Sequence, residues 1–167
     1  MTGFRPPAGL VMGFHPTARG FGWVVFEGPF TPFDWGLVSA RKDKNAVCLR
    51  RLELLLERFR PDVLVLEAYD RHTSKRAKRI ARLCEAARRA ADARGIEVAI
   101  YTLGEIRAAF AEAGAVTRHE ISEVVARHLE PLRHRLPPRR RPWESEDHRS
   151  GLFAAAAALL THSRRTT

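Results

Sequence analysis

The chain is short of cysteine, short of acid relative to base, and without a long apolar run, and each shortage removes a class of protein. Its 167 residues include two cysteines. Cys48 and Cys84 lie far apart with no CxxC pair, which leaves neither a disulfide framework nor a thiolate metal site. Both fall on the apolar side of a helical pattern, as small core residues in a reducing cytoplasm do. No apolar run approaches the ~20 residues a helix needs to cross a bilayer. The opening MTGFRPPAGL lacks the basic and then apolar order of a signal peptide, so the expected location is cytoplasmic, with no membrane contact. No internal repeat and no long linker divides the chain. One domain is expected over residues 1–167, with a core of about residues 9–163, long enough to bury roughly 70% of its unfolded surface.

Against 29 basic residues stand 19 acidic ones, a formal net charge of +10. Clustered lysine and arginine release counterions when they neutralise phosphates, so a polyanion leads the partner classes. A membrane surface would call for a basic helix with Trp, Phe or Leu toward lipid. The basic helices here carry ordinary core stripes instead, which favours nucleic acid.

Residues 10–14, 21–27 and about 33–40 read as three antiparallel strands joined by Gly and Pro turns. Between residues 44 and 59, Cys48, Leu52, Leu55, Leu56 and Phe59 recur at helical spacing, and Arg60-Pro61 stops the pattern. The run 63–66 is continuously apolar, as in a strand buried on both faces, and delivers Glu67 at its exit. A helix over residues 74–94 closes at Gly95, and a fifth strand follows at 96–101. Helices are expected at 103–111 and 117–129, the latter opened by a capping box of Thr117 and Glu120. An Arg- and Pro-rich loop at 133–142 precedes a last helix containing Ala154 to Ala158, whose small side chains let the backbone press on a sheet. The fold class is therefore α/β, with a mixed five-stranded sheet of three antiparallel and then two parallel strands flanked by helices.

Placed in this order, several motifs carry a family likeness: Gly13-Phe14-His15-Pro16 followed by Gly20-Phe21-Gly22-Trp23, the VLVLE strand, and Tyr101-Thr102 before Ile106-Arg107. Gly114-Ala115-Val116-Thr117-Arg118-His119-Glu120 and Ala158-Leu159-Leu160-Thr161-His162 extend it. The chain resembles the RuvC-type Holliday-junction resolvases of the ribonuclease H-like superfamily over nearly its whole length. The resemblance implies a homodimer that binds four-way DNA junctions in recombination and repair, and an endonuclease that cuts them with two divalent ions held by four acids. Two ions about 4 Å apart stabilise the attacking and the leaving oxygen, which is why several carboxylates are needed.

The family's acidic positions fall on His15, Glu67, Gly151 and Ala154, and Glu67 alone keeps its acid. A histidine ligand would move preference away from magnesium toward manganese or zinc. Glu67, His15 and Asp147 are the candidate catalytic and metal-ligating residues, with Mg2+ or Mn2+ as the ion of an active enzyme. Each has a plainer alternative: Glu67 as a buried acid paired with a nearby arginine, His15 as a turn residue bonded to backbone, Asp147 as a cap or first-turn acid of the last helix. Two functions follow: a divergent metal-dependent endonuclease on branched DNA, or a catalytically silent module that binds it.

For the nucleic-acid contact the candidates are Arg71, Lys75, Arg76, Lys78, Arg79 and Arg82 after the Glu67 strand, expected at the same sheet edge as the site. The alternative for that run is a solvated helix face. Arg107 and Arg118 match positions where the family tends to carry lysines near phosphate. Arg139 and Arg140 precede the last helix, and arginine binds phosphate bidentately as well as by charge. Tyr69 and Trp143, in loops, are candidates for base stacking. Phe14, Phe21 and Trp23 are expected in the core.

Overall fold

The computed structural model describes residues 9–69, 75–141 and 143–166. Strands β1 (Leu10–Pro16), β2 (Gly20–Glu27) and β3 (Pro32–Ser39) form an antiparallel meander. Helix α1 (Lys44–Phe59) leads to β4 (Val63–Glu67), and α2 (Lys75–Asp92) to β5 (Glu97–Tyr101). Helices α3 (Leu103–Phe110), α4 (Arg118–His128) and α5 (Ser150–Thr166) complete the chain, with short 3₁₀ turns at Ala111–Ala113 and Glu130–Arg135. The sheet order is β3-β2-β1-β4-β5, with β4 parallel to both β1 and β5.

Strand alternation divides the interior into two layers. Met12, Phe14, Phe21, Trp23, Val25, Leu64 and Leu66 point to α1 and α2, where they meet Cys48, Leu52, Leu56 and Leu83. Val24, Phe26 and Val65 point the other way, to α3, α4 and α5. Buried on both faces, β4 needs the apolar run it has. Helix α1 ends where expected: Arg60 takes a left-handed φ of 44° and its N–H bonds the Leu56 carbonyl, and Pro61 cannot continue the helix.

On the second face the helix α5 lies almost on the strands. The missing side chain of Gly13 leaves room for the Ala155 carbonyl, and a Cβ on Gly22 would run into the backbone at Gly151 and Leu152. Alanines 155 to 158, nearly or fully buried, complete this close approach. The small-residue run is thus a packing surface, as its composition implied.

Three expectations need correction. His15 is no turn residue: β1 continues to Pro16, and His15 pairs with Gly22 inside the ladder. Asp147 is no first-turn acid of the last helix, because α5 begins only at Ser150. The basic run on α2 does not line the edge that holds Glu67 along its length. α2 packs on the opposite face of the sheet, where Lys78, Arg82 and Glu85 border a groove of about 970 Å³ that Glu53 of α1 and Arg94 also line.

Candidate functional site

Parallel pairing sets Phe14 beside Leu66, so the next residues, His15 and Glu67, emerge side by side from adjacent strands. Both lie on the face that α5 covers, since they share the parity of Gly13 and Val65. They are 6% and 7% exposed. A small cavity of about 40 Å³ joins them to Arg118, Ile121, Glu146, Ser150, Phe153 and Ala154.

The charge at the centre of this cavity is already answered. Arg118, in the first turn of α4, donates from Nη1 to Glu67 Oε1 at 3.1 Å and from Nη2 to Glu67 Oε2 at 2.7 Å. This is a fork-on-fork pair, the strong geometry for arginine and carboxylate. The Glu67 side chain is 6% exposed and that of Arg118 is 50% exposed, so the carboxylate is buried while the guanidinium reaches the surface. Burial works against the Arg118 charge, but the Glu67 bond and the Glu67 and Glu146 charges raise its pKa above the ordinary value. His15 is driven the other way. Burial lowers its pKa, with Arg118 adding to the effect and Glu67 and Glu146 opposing it, so the ring is neutral at pH 7.

Local sequence explains why Arg118 arrives there. Thr117 caps α4, its hydroxyl accepting from the Glu120 N–H at 3.1 Å while Glu120 accepts from the Thr117 N–H. This capping box fixes where the helix starts, and therefore where its first side chain points. Ile121, Val124 and Val125 hold the helix against α5.

Asp147 is engaged elsewhere. Its Oδ1 accepts from the Arg149 backbone at 2.9 Å and from Arg149 Nε at 3.0 Å, and its Oδ2 from Arg149 Nη2 at 2.8 Å. The Arg149 hydrogen bond, first among several causes, holds its pKa below the usual carboxylate range. The next residue, His148, straps the segment to the sheet: its Nδ1 bonds Thr17 Oγ1 at 2.8 Å and its Nε2 bonds Ser39 Oγ at 3.1 Å. Glu146, rather than Asp147, reaches the cavity with Glu67. From sequence, Glu144 or Glu146 could supply a carboxylate if the loop before α5 folds inward, and Glu146 does reach the cavity; His148 carried no such signal, because its placement depends on this strap.

A two-ion centre does not fit these residues. At the two positions of α5 where the resemblance would place acids, Gly151 and Ala154 offer no side-chain donor, and a Cβ on Gly151 would strike Thr17 Cγ2. Both oxygens of Glu67 accept from Arg118, and both of Asp147 from Arg149. Among the described residues no group of three His, Cys, Asp or Glu side chains is placed to hold a metal ion.

Neither a protein-family model nor a curated relative matches the chain by sequence. Solved structures do match by shape. The Thermus thermophilus RuvC in complex with a Holliday junction substrate superposes with a TM-score of 0.70 at 21% identity, over 94% of each chain. The fold is that of the RuvC resolvases. A second Thermus thermophilus RuvC structure gives 0.69 at 21% identity over 94% of this chain and 95% of that one. The yeast mitochondrial Holliday junction resolvase Ydc2 gives 0.56 at 13% identity, over 98% of this chain and 83% of that one. The ribonuclease H-like sheet expected from the motifs is thus the observed one.

Outside the cavity, the RuvC-like fold presents cations to solvent. A groove of about 630 Å³ at Arg118 is lined by Thr117, His119 and Ser122 of α4 and its cap, by Pro137, Pro138, Arg139 and Arg140, and by Glu146 and Asp147. Arg139 and Arg140 are exposed, as is Arg107 on α3 and Lys75 at the start of α2. Arg79 is tied inward, donating to Asn45 Oδ1 at 3.3 Å and to the Thr17 carbonyl at 3.4 Å. Tyr69 is half-buried and Trp143 is exposed. Arg71 and the side chain of Arg76 lie outside the described residues. No helix of the described residues is long and apolar enough to cross a membrane.

Proposed function

We propose that this chain binds branched DNA through its RuvC fold and that Arg118, paired with Glu67, stands where a metal-dependent relative would keep its ions. The bidentate Glu67–Arg118 pair carries this reading. A carboxylate with both oxygens engaged by a guanidinium is a poor ligand, and the two positions on α5 that would complete an ion pair of metals carry Gly151 and Ala154. The net charge of +10 and the groove bearing Arg118, Arg139 and Arg140 support a phosphate-rich ligand. Lys75, Lys78, Arg82 and Arg107 would add long-range attraction. The Holliday junction held by the Thermus relative supports a four-way junction as that ligand. A homodimer would match the symmetry of such a junction, and recombination or repair in the cytoplasm is the setting in which it arises.

A second reading, the divergent endonuclease with Mg2+ or Mn2+, draws on Glu67, His15 and Glu146 lining one cavity. One assay separates the two. A labelled four-way junction and a linear duplex of equal length are titrated with the protein in EDTA, Mg2+ and Mn2+, with binding and nicking followed together. Tight, salt-sensitive junction binding that is indifferent to metal, with no nicking, is expected. Metal-dependent nicking abolished by Glu67→Gln would establish the endonuclease instead, and equal affinity for duplex and junction would remove branched DNA as the ligand.

A further inference from the structure

Trp143 is the most exposed large apolar side chain among the described residues, at 76%. An indole left in water is unusual, because a Trp buries more apolar area than almost any other residue when it finds a neighbour. A local turn holds it out: the Glu144 N–H donates to the Arg141 carbonyl at 3.0 Å, and the Arg141 N–H donates to Glu144 Oε2 at 3.3 Å. The Arg141 guanidinium lies 5.7 Å from the ring centroid, within cation–π range. Arg139 and Arg140, just upstream, line the groove that leads past Arg118.

An exposed aromatic among cations is a poor surface for an apolar protein partner, which would have to desolvate three arginines. It suits a nucleobase, whose flat face stacks on the ring while its phosphates meet the guanidinium groups. Paired bases inside a duplex are stacked on each other and present no such face. We infer that Trp143 stacks on an unpaired base at the branch point of DNA while Arg139 and Arg140 hold the adjoining phosphates. This rests on the branched-DNA reading above and deepens it by naming the element that tells a branch from a duplex.

The test uses the full chain, its Trp143→Ala and Trp143→Phe variants, and an Arg139→Ala/Arg140→Ala variant, against a four-way junction and a linear duplex of the same length. The exposure of Trp143 leaves the fold intact in these variants, and circular dichroism checks it. Trp143→Ala is expected to weaken junction binding about tenfold, the scale of one lost base stack, with duplex affinity within about twofold and Trp143→Phe recovering most of the loss. The double arginine variant is expected to weaken both DNAs and to flatten the salt dependence by about two phosphate contacts. The indole emission present in the wild type and missing from Trp143→Phe should be quenched by oligo(dT) and not by blunt duplex. Equal loss on junction and duplex, no loss on either, or a change in oligomeric state with unchanged DNA affinity overturns the inference. If the wild type itself does not prefer junction, the branched-DNA reading fails first. If it prefers junction and Trp143→Ala prefers it equally, only the role of Trp143 fails.

Discussion

Two neighbouring regions of this protein have gone opposite ways. The inner cavity holds His15, Glu67, Arg118 and Ala154 in about 40 Å³, with its central carboxylate bound by a guanidinium. The groove immediately outside spans about 630 Å³ and carries Arg118, His119, Arg139 and Arg140. Arg118 belongs to both. Metal chemistry needs several carboxylates at fixed distances, and Gly151 and Ala154 supply none from α5. Phosphate binding needs only accessible cations in roughly the right place, and tolerates that absence. On the proposed reading, the groove keeps the cations for phosphate while the cavity lacks the donors for metal.

The sharpest way to break this comparison is to remove Arg118. Arg118→Met leaves the Glu67 carboxylate buried and without its partner, and breaking a buried pair from the exposed side costs about 3–5 kcal/mol. Urea unfolding should record that loss. Glu67→Gln should cost far less, because Arg118 is half exposed and water can take over its bonds. The double variant should recover most of the stability lost in Arg118→Met. Unchanged stability in Arg118→Met would mean that other groups satisfy Glu67.

A smaller effect is expected at the contact that closes the cavity. Gly22→Ala sets a methyl group against the backbone of Gly151 and Leu152, and forcing the helix off the sheet should cost about 1–3 kcal/mol. Gly151→Ala meets the Thr17 side chain instead and should cost less. Thermal unfolding of the two variants gives the order.

Acid should act more gradually. Burial, the leading cause in each case, lowers the pKa of His15, His148 and His162 below the ordinary 6.5. The unfolded chain then takes up protons first as pH falls, so stability is full above about pH 6.5 and declines below it. Urea midpoints at pH 7.5 and pH 5.5 should differ in that direction. The difference should shrink in His148→Asn, which can keep one bond of the strap to Thr17 or Ser39.

The least effect is expected from metal. EDTA, Mg2+ and Mn2+ at millimolar concentration should leave the melting temperature unchanged, because a ligand stabilises only a folded state that binds it. A rise with Mn2+ that Glu67→Gln abolishes would reopen the cavity as a metal site.

Much of this is legible in the sequence. The helix Lys44–Phe59 and the strand Val63–Glu67 follow from local periodicity and from Pro61, since their signals lie within a few residues of one another. The absence of acids at 151 and 154 is likewise plain from the residues themselves. Boundaries are less legible: the turn alternative for His15 fails because β1 runs on to Pro16, and Asp147 lies three residues before the helix it was expected to open.

Amphipathic spacing and turn chemistry alone therefore determined the order of strands and helices, and Glu67 at the end of a buried strand. Which arginine answers Glu67 was decided only by the fold. Arg118 is 51 residues away along the chain, and no local pattern distinguishes it from the other basic residues. Helix α4 brings it there because its capping box sets the start of the helix and its apolar face docks on α5. A buried carboxylate is stabilised by the cation that packing delivers to it, and packing is a property of the whole chain.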